Sequence, residues 1–331
     1  MSDQPFVPGY NTCDAVSDQC PVSATLYGDY FTKNAVIFFS AAYALLLALQ
    51  VYYTWKSRAW SFAAWLGVGT IFELAGYVCR VIAASNPWNF LAFVIQLLTL
   101  MLGPTFIAAA ISITFKHLVI HYGAQWSTIK PRWYPWLFVG SDVFSIIIQA
   151  AGCGLAAMAT SGEGGNSTVQ DASSILLITG VSFQAVNMMV CGGLMLLYYR
   201  RRSVGAKGQW QGQPGSSAEL IYSTQEEARI RGDLNGIAAA RKLKIFVWCI
   251  SVAFVAIIVR CIYRIPEMAS GWGSDLMKDE ISFLILDGAM ILAATALLSI
   301  IHPATYFPQL SAKGLIKEDI VLEEGLTTSR K

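Results

Sequence analysis

Six ionisable side chains stand in stretches of sequence otherwise too apolar to hold them: Glu73, Arg80, Asp142, Arg260, Arg264 and Asp287. Three acids and three bases in such surroundings must either satisfy one another or meet a polar ligand, because each costs roughly 2.5–3.5 kcal/mol at the centre of a membrane helix. Their spacing puts them on common faces. Glu73, Gly76, Tyr77 and Arg80 recur at i, i+3, i+4 and i+7, as do Asp142, Ser145 and Gln149 at i, i+3 and i+7. Arg260 and Arg264 are one turn apart, with Glu267 following. Gln96, Gln184 and Asn187 extend the polar set, and Pro104 predicts a kink that frees backbone carbonyls. Two readings stand side by side: mutual pairing that locks helix packing, and a polar track along which the stripes converge. Six such groups exceed what packing by small residues ordinarily needs.

The elements that position these residues follow from composition. Of 331 residues, 55% are hydrophobic and 13% are charged, about half the charged share of a soluble domain. Apolar runs at 35–55, 62–83, 90–115, 135–158, 174–199, 245–265 and 281–301 each reach the roughly 20 residues of a spanning helix. None alternates as barrel strands do. The expected fold is therefore all-α: a polytopic membrane protein of seven transmembrane helices. Its parts are an N-terminal tail (1–34), a helical domain (35–301) with a long loop at 200–244, and a C-terminal tail (302–331).

The basic residues orient the bundle. With the N-terminus outside and the C-terminus cytoplasmic, eighteen of the 23 Lys and Arg fall on the cytoplasmic side, nine of them between Arg200 and Lys244. The sequon Asn166-Ser167-Thr168 then lies outside as a glycosylation site. The first 34 residues lack the apolar core of a removable signal peptide. Cys13 and Cys20 share the outer, oxidising compartment and are expected to form a disulfide; the alternative is two free thiols in a mobile tail.

Other chemistries find less support. A net charge of +2, with bases scattered over several loops, excludes a nucleic-acid-binding stripe. Gly162-Glu163-Gly164-Gly165 has no following Lys and reads as an outer loop, so ATP hydrolysis has no home in this chain. His117, His121 and His302 gather at the inner end, and with Asp142 they frame an alternative reading as a metal-dependent lipid hydrolase. The preferred reading has no metal, no cofactor and no enzymatic activity. His302-Pro303-Ala304-Thr305-Tyr306 echoes the seventh helix of G-protein-coupled receptors, but Phe115-Lys116-His117 lacks their acidic-Arg-aromatic signature. The segment from Ala206 to Ser217 reads as disordered, and Ala218 to Lys244 as a helix leading into the sixth span.

Taken in order, Glu73-Leu-Ala-Gly76-Tyr77-Val-Cys-Arg80, Pro104 with Ala108-Ala109-Ala110, Asp142-Val-Phe-Ser145-Ile-Ile-Ile-Gln149, Gly180 with Gln184, Arg260-Cys-Ile-Tyr263-Arg264-Ile-Pro-Glu267, Glu280 with Asp287, and His302-Pro303 resemble the fungal RTA-like family of lipid-translocating exporters. Ser112 departs from the aromatic expected two positions after Ala110. The resemblance implies a seven-helix protein, expected in the plasma membrane, linked to resistance to toxic lipids and sterol analogues, to release of sphingoid long-chain bases or to porphyrin uptake. The implied partners are membrane lipids or lipid-like small molecules. A lateral groove lined by Glu73, Asp142 and Gln149 would carry an amine headgroup, while the arginines would suit a phosphate or carboxylate or hold Glu267 and Asp287. The rival from another class is a seven-helix receptor for such amphiphiles, signalling through the 200–244 loop.

The topology predicts that a tag beside Asn166 is accessible in intact spheroplasts and that one near Gly212 is protected. The reverse pattern overturns the orientation.

Overall fold

The computed structural model describes residues 8–10, 12–57, 60–122, 133–161, 167–210, 225–270 and 274–301. The helices are α1 (Lys33–Ser57), α2 (Trp60–Ser85), α3 (Phe90–Tyr122), α4 (Trp133–Ser161), α5 (Ser167–Trp210), α6 (Gln225–Ala269), the four-residue α7 (Asp275–Lys278) and α8 (Glu280–Ile300). All but α7 are long and apolar enough to cross a membrane, so the chain is an all-α integral membrane protein with seven spans. No β-strand occurs among the described residues. Large apolar side chains such as Phe38, Leu45, Trp55 and Trp248 lie 61–82% exposed on the outer faces. That surface is tolerable only where lipid replaces water.

Two helices outrun their apolar cores. α5 has 44 residues, about 66 Å at 1.5 Å per residue, twice the thickness of a hydrocarbon core. It carries Ala206 to Trp210 as helix, where disorder was expected. Its glycines at 205 and 208 each cost only about 1 kcal/mol, which a helix already nucleated in the bilayer absorbs. The helix expected from Ala218 begins at Gln225, and residues 211–224 lie outside the described residues.

Glycines set how closely the helices approach. A Cβ on Gly69 of α2 would stand 2.7 Å from Ile107 Cγ1 and 2.9 Å from the Gly103 carbonyl of α3. Gly76, one helical face further along, would meet Leu100. Gly152 of α4 and Gly180 of α5 make the same close contact with Leu177 and Gln149. Small residues thus zip α2 to α3 and α4 to α5, as expected where the surrounding solvent is as apolar as the interface. A polar tie joins three further elements: Gln50 Nε2 of α1 donates to Thr70 Oγ1 of α2 and Ser299 Oγ of α8, both at 2.8 Å.

The segment before α1 is folded onto the end of the bundle, here called the N-terminal face. Cys13 and Cys20 are disulfide-bonded, with Cα atoms 5.9 Å apart. Trp88 Nε1 donates to the Cys20 carbonyl at 3.1 Å, Asn86 Nδ2 donates to the Asp14 carbonyl at 2.8 Å, and Tyr10 stacks on Phe93 at 5.4 Å. Gly28 turns the chain at φ 72°, a conformation glycine adopts without strain. Thr32 then donates through both its N–H and its hydroxyl to Glu280 at the start of α8.

The packing predicts an asymmetric pair of mutants. Gly69→Val forces side chain against backbone and should cost about 1–3 kcal/mol, lowering the thermal midpoint of the purified protein. Gly67→Val, with nothing within 4 Å of its Cβ position, should leave that midpoint unchanged.

Candidate functional site

Twelve of the polar residues singled out from the sequence are buried, none more than 4% exposed, and Asn187 is half-buried. The structure divides them between two groups. The first lies between α2, α3, α6 and α8. Asp287 Oδ1 accepts from Arg260 Nε at 2.7 Å and from Arg264 Nε at 2.9 Å, and Arg264 Nη1 donates to Glu267 Oε2 at 2.8 Å. Two features of the backbone make this possible. Pro104 has no N–H, so the carbonyl of Leu100, four residues earlier, has no helical partner, and Arg260 Nη2 donates to it. In α8, residues Leu284–Ala289 form a π-helical turn that presents Asp287 to both arginines. Next to it, the missing side chain of Gly288 makes room for the Tyr77 hydroxyl.

Glu73 sits within electrostatic reach of Asp287, Arg260 and Arg264. It forms no ion pair with either arginine, and its Oε1 is buried without a hydrogen-bond partner, packed where Gly103 lacks a side chain. The hydroxyls of Tyr77 and Tyr43 are likewise unpartnered, and their rings stack at 5.5 Å. Towards the N-terminal face, Arg80 lies with its guanidinium 4.1 Å from the Phe31 ring and 4.0 Å from that of Phe283. Gln96 Nε2 donates to the Tyr27 hydroxyl at 3.0 Å. Burial raises the Tyr27 phenol above its ordinary pKa, with the nearby Arg80 opposing; it remains a hydrogen-bond donor at neutral pH.

The second group lies in the α4–α5 seam. Asn187 Nδ2 donates to Asp142 Oδ1 at 2.7 Å, while Asp142 Oδ2 has no partner. Gln149 Nε2 donates to Ser145 Oγ at 2.7 Å and to Gln184 Oε1 at 3.0 Å, and Ser145 Oγ donates to the Gly180 carbonyl at 2.9 Å. Cys261 of α6 lies within electrostatic reach of both Asp142 and Asp287, between the two groups.

The stripes form two hydrogen-bonded networks, with no hydrogen bond joining them among the described residues. The lateral groove is also closed: Glu73, Asp142 and Gln149 are 1–2% exposed, because the glycine contacts draw α2 against α3 and α4 against α5. Sequence reasoning missed Tyr43, Tyr27, Phe31, Phe283 and Gln50. An aromatic in an apolar run carries no mark of what it faces; Gln50, a lone amide in the first span, did carry a legible signal. The side chains of His117 and His121, and the whole of Asn166 and His302, lie outside the described residues.

Asp287→Asn leaves Arg260 with no ion-pair partner and Arg264 with Glu267 alone, and should cost about 3–5 kcal/mol, seen as loss of folded, surface-exposed protein. The double change Asp287→Arg with Arg264→Asp should not rescue it, since Arg260 would then face a new cation. Surface levels equal to wild type for Asp287→Asn would show that the cluster does not hold the bundle.

Known proteins resemble this chain in sequence. Residues 66–310 match the family described as RTA1 like protein. The chain is 29% identical over 273 residues to the sphingoid long-chain base transporter RSB1 of Saccharomyces cerevisiae, covering 80% of this chain and 70% of that relative. Shorter similarities link it to two further Saccharomyces cerevisiae proteins. Protoporphyrin uptake protein 1 is 36% identical over 102 residues, 30% of this chain and 34% of the relative. Protein RTM1 is 34% identical over 90 residues, 27% and 29% respectively. No solved structure matches the chain. The family match takes in Glu73, Asp142, Arg260, Arg264 and Asp287, and the protein belongs to the RTA1-like family.

Proposed function

We propose that this protein translocates lipid-like amphiphiles, with sphingoid long-chain bases as the leading substrate class, across the plasma membrane without ATP hydrolysis by this chain. One observation carries the reading: Glu73 and Asp142 each keep a buried carboxyl oxygen without a partner, whereas the other buried carboxylates among the described residues, Glu267 and Asp287, are paired with arginines. A buried carboxyl left half-satisfied is destabilising unless a ligand completes it. An ammonium headgroup, with three donors and no acceptor, complements such a group. The resemblance to a sphingoid long-chain base transporter supports that chemistry.

A long-chain base crossing the bilayer would pass its amine from one acid to the other while its alkyl tail stays in lipid. Glu73 lies near the middle of α2, and Asp142 lies on α4, bonded to Asn187 and about two turns from the amide pair of Gln149 and Gln184. Passage requires the closed seams to part, and the zipped pairs α2–α3 and α4–α5 are natural rigid bodies for that motion. The Arg260–Asp287–Arg264 cluster, satisfied on its own, serves as the fixed point against which they move. The cytoplasmic face then carries the basic 200–244 loop, and the disulfide-bonded segment faces outward.

Proteoliposomes containing only this protein test the proposal. Wild type should move labelled long-chain base between leaflets faster than protein-free vesicles, without ATP. Glu73→Gln and Asp142→Asn should each lower the rate about tenfold or more while keeping the thermal midpoint, because each removes one charge-assisted contact. Transport equal to empty vesicles by well-folded wild type would overturn it in favour of a receptor that senses such molecules.

A further inference from the structure

A file of buried polar side chains runs between α1, α2 and α8. On α2 it holds Thr70, Glu73 and Tyr77, at i, i+3 and i+7 on one face and none more than 1% exposed. α1 adds Tyr43 and Gln50, two turns apart and both buried. The two ends of the file differ. At one end the side chains bond to each other, Gln50 Nε2 donating to Thr70 Oγ1 and Ser299 Oγ at 2.8 Å. Around Glu73 they do not: Glu73 Oε1 and the hydroxyls of Tyr43 and Tyr77 are all buried without a partner.

The charges around Glu73 leave it alone. Within its electrostatic reach stand Tyr43 from α1, Tyr77 on α2, Arg260 and Arg264 from α6, and Asp287 from α8. α3 presents backbone, and a Cβ at Gly103 would stand 2.5 Å from Glu73 Oε1. Both arginines are committed, Arg260 and Arg264 to Asp287 and Arg264 to Glu267 as well. Two cations therefore meet two anions, and a third carboxylate would be an uncompensated charge in a lipid-surrounded interior. Arg80, two turns along α2, lies between the rings of Phe31 and Phe283 and makes no ion pair among the described residues.

We infer that Glu73 is a proton-binding site, and that its proton is the ion released when a cationic headgroup arrives. The arriving cation rests on the transport reading above; the bound proton does not. A proton needs no cavity, which suits a carboxyl packed against the α3 backbone, whereas a metal ion would need several further oxygen ligands and would meet the field of two arginines. The hydroxyls of Tyr43 and Tyr77 offer an acceptor to the carboxyl O–H and donors to the carboxylate, so both states can be accommodated. When an ammonium group arrives, the carboxyl O–H bond breaks, its electron pair stays on the carboxylate, and the proton leaves to water. When the headgroup departs, one proton returns. One positive charge replaces another, so the interior never holds a bare carboxylate, and movement of a long-chain base one way is tied to movement of a proton the other way.

The test uses the full chain in a maltoside detergent, weakly buffered at about pH 6, where an alkyl amine is fully protonated. Sphingosine is titrated in, with binding followed by calorimetry and released protons by a pH indicator. Wild type should release about one proton per sphingosine bound and lose a carboxylic-acid C=O band from its infrared difference spectrum. N-acetylsphingosine, which lacks the cationic amine, should release none. Glu73→Gln should abolish both the release and the band change. Glu73→Asp should keep the release and move the band, which identifies the carboxyl even if Glu73→Gln does not fold. Sphingosine binding without proton release, or release that persists in Glu73→Gln, would overturn the inference and leave the transport reading standing. If wild type neither binds sphingosine nor moves it in proteoliposomes, the transport reading and the exchange both fall. The proton site is then decided by the resting spectrum at neutral pH: a carboxylic-acid band lost in Glu73→Gln or moved in Glu73→Asp upholds it, and a band unchanged in both overturns it.

Discussion

The fold depends on one requirement: an aspartate and two arginines placed in a lipid-surrounded bundle must satisfy each other almost completely. Asp287 meets it by accepting from both Arg260 and Arg264 through one oxygen. The geometry is demanding, because two guanidinium groups one turn apart on α6 must reach a single atom on α8. A regular α-helix at Leu284–Ala289 would present Asp287 at a different angle, and the π turn there widens the backbone at the point of contact. Arg260 has donors left over, and Pro104 supplies the acceptor by leaving the Leu100 carbonyl free. A proline and a π turn, each a local defect, are thereby neutralised by the same side chain cluster.

That arrangement sorts the buried charges by role. The cluster on α6 and α8 is closed upon itself, and breaking it strands charge in a low dielectric. Glu73, Asp142 and Arg80 are not closed: each has a buried polar atom with no partner. Unmade hydrogen bonds of this kind cost about 1–3 kcal/mol each, more when the group is charged. A chain that only needed a stable bundle would be better served by apolar residues at those positions. The glycine contacts point the same way. They pack α2 on α3 and α4 on α5 tightly enough to exclude a ligand, so under the proposed function the pairs must separate before one reaches the unsatisfied groups.

Much of this was legible in the sequence, and the limit of legibility has a physical cause. Number, order and approximate bounds of the spans followed from apolar run length, because a bilayer imposes a length and permits no exposed backbone. The charged residues were legible because they are costly there, and the i, i+3, i+4 and i+7 spacing correctly put Glu73, Tyr77 and Arg80 inside. Counting residues along the sixth and seventh spans at 1.5 Å each also brings Asp287 level with the arginines. Depth says nothing of rotation about a helix axis, however, and rotation decides which stripes meet. Hence the sequence did not disclose the division into two hydrogen-bonded networks. The π turn at Leu284–Ala289 left no trace in residue types, and Phe31 and Phe283 are aromatics like any others until they close on Arg80. The helical extension of α5 past Arg202 was hidden by glycines whose cost the preceding helix outweighs.

The segment before α1 links these parts mechanically. Its disulfide closes a short loop whose carbonyls are held by Trp88 and Asn86 at the α2–α3 turn, so one end of the segment is fixed to that helix pair. Its other end is tied through Thr32 to Glu280, the first residue of α8. Between the two anchors stand Tyr27 and Phe31, whose rings lie 5.9 Å and 4.1 Å from the Arg80 guanidinium. Any separation of α3 from α8 at this face must therefore stretch or release the segment. A side chain that reports on that movement is Tyr27: its hydroxyl is held by Gln96 of α3, while its chain leads, five residues on, to the bond with α8. The segment thus bridges the α2–α3 turn and the start of α8, the helix whose Asp287 holds both arginines of α6.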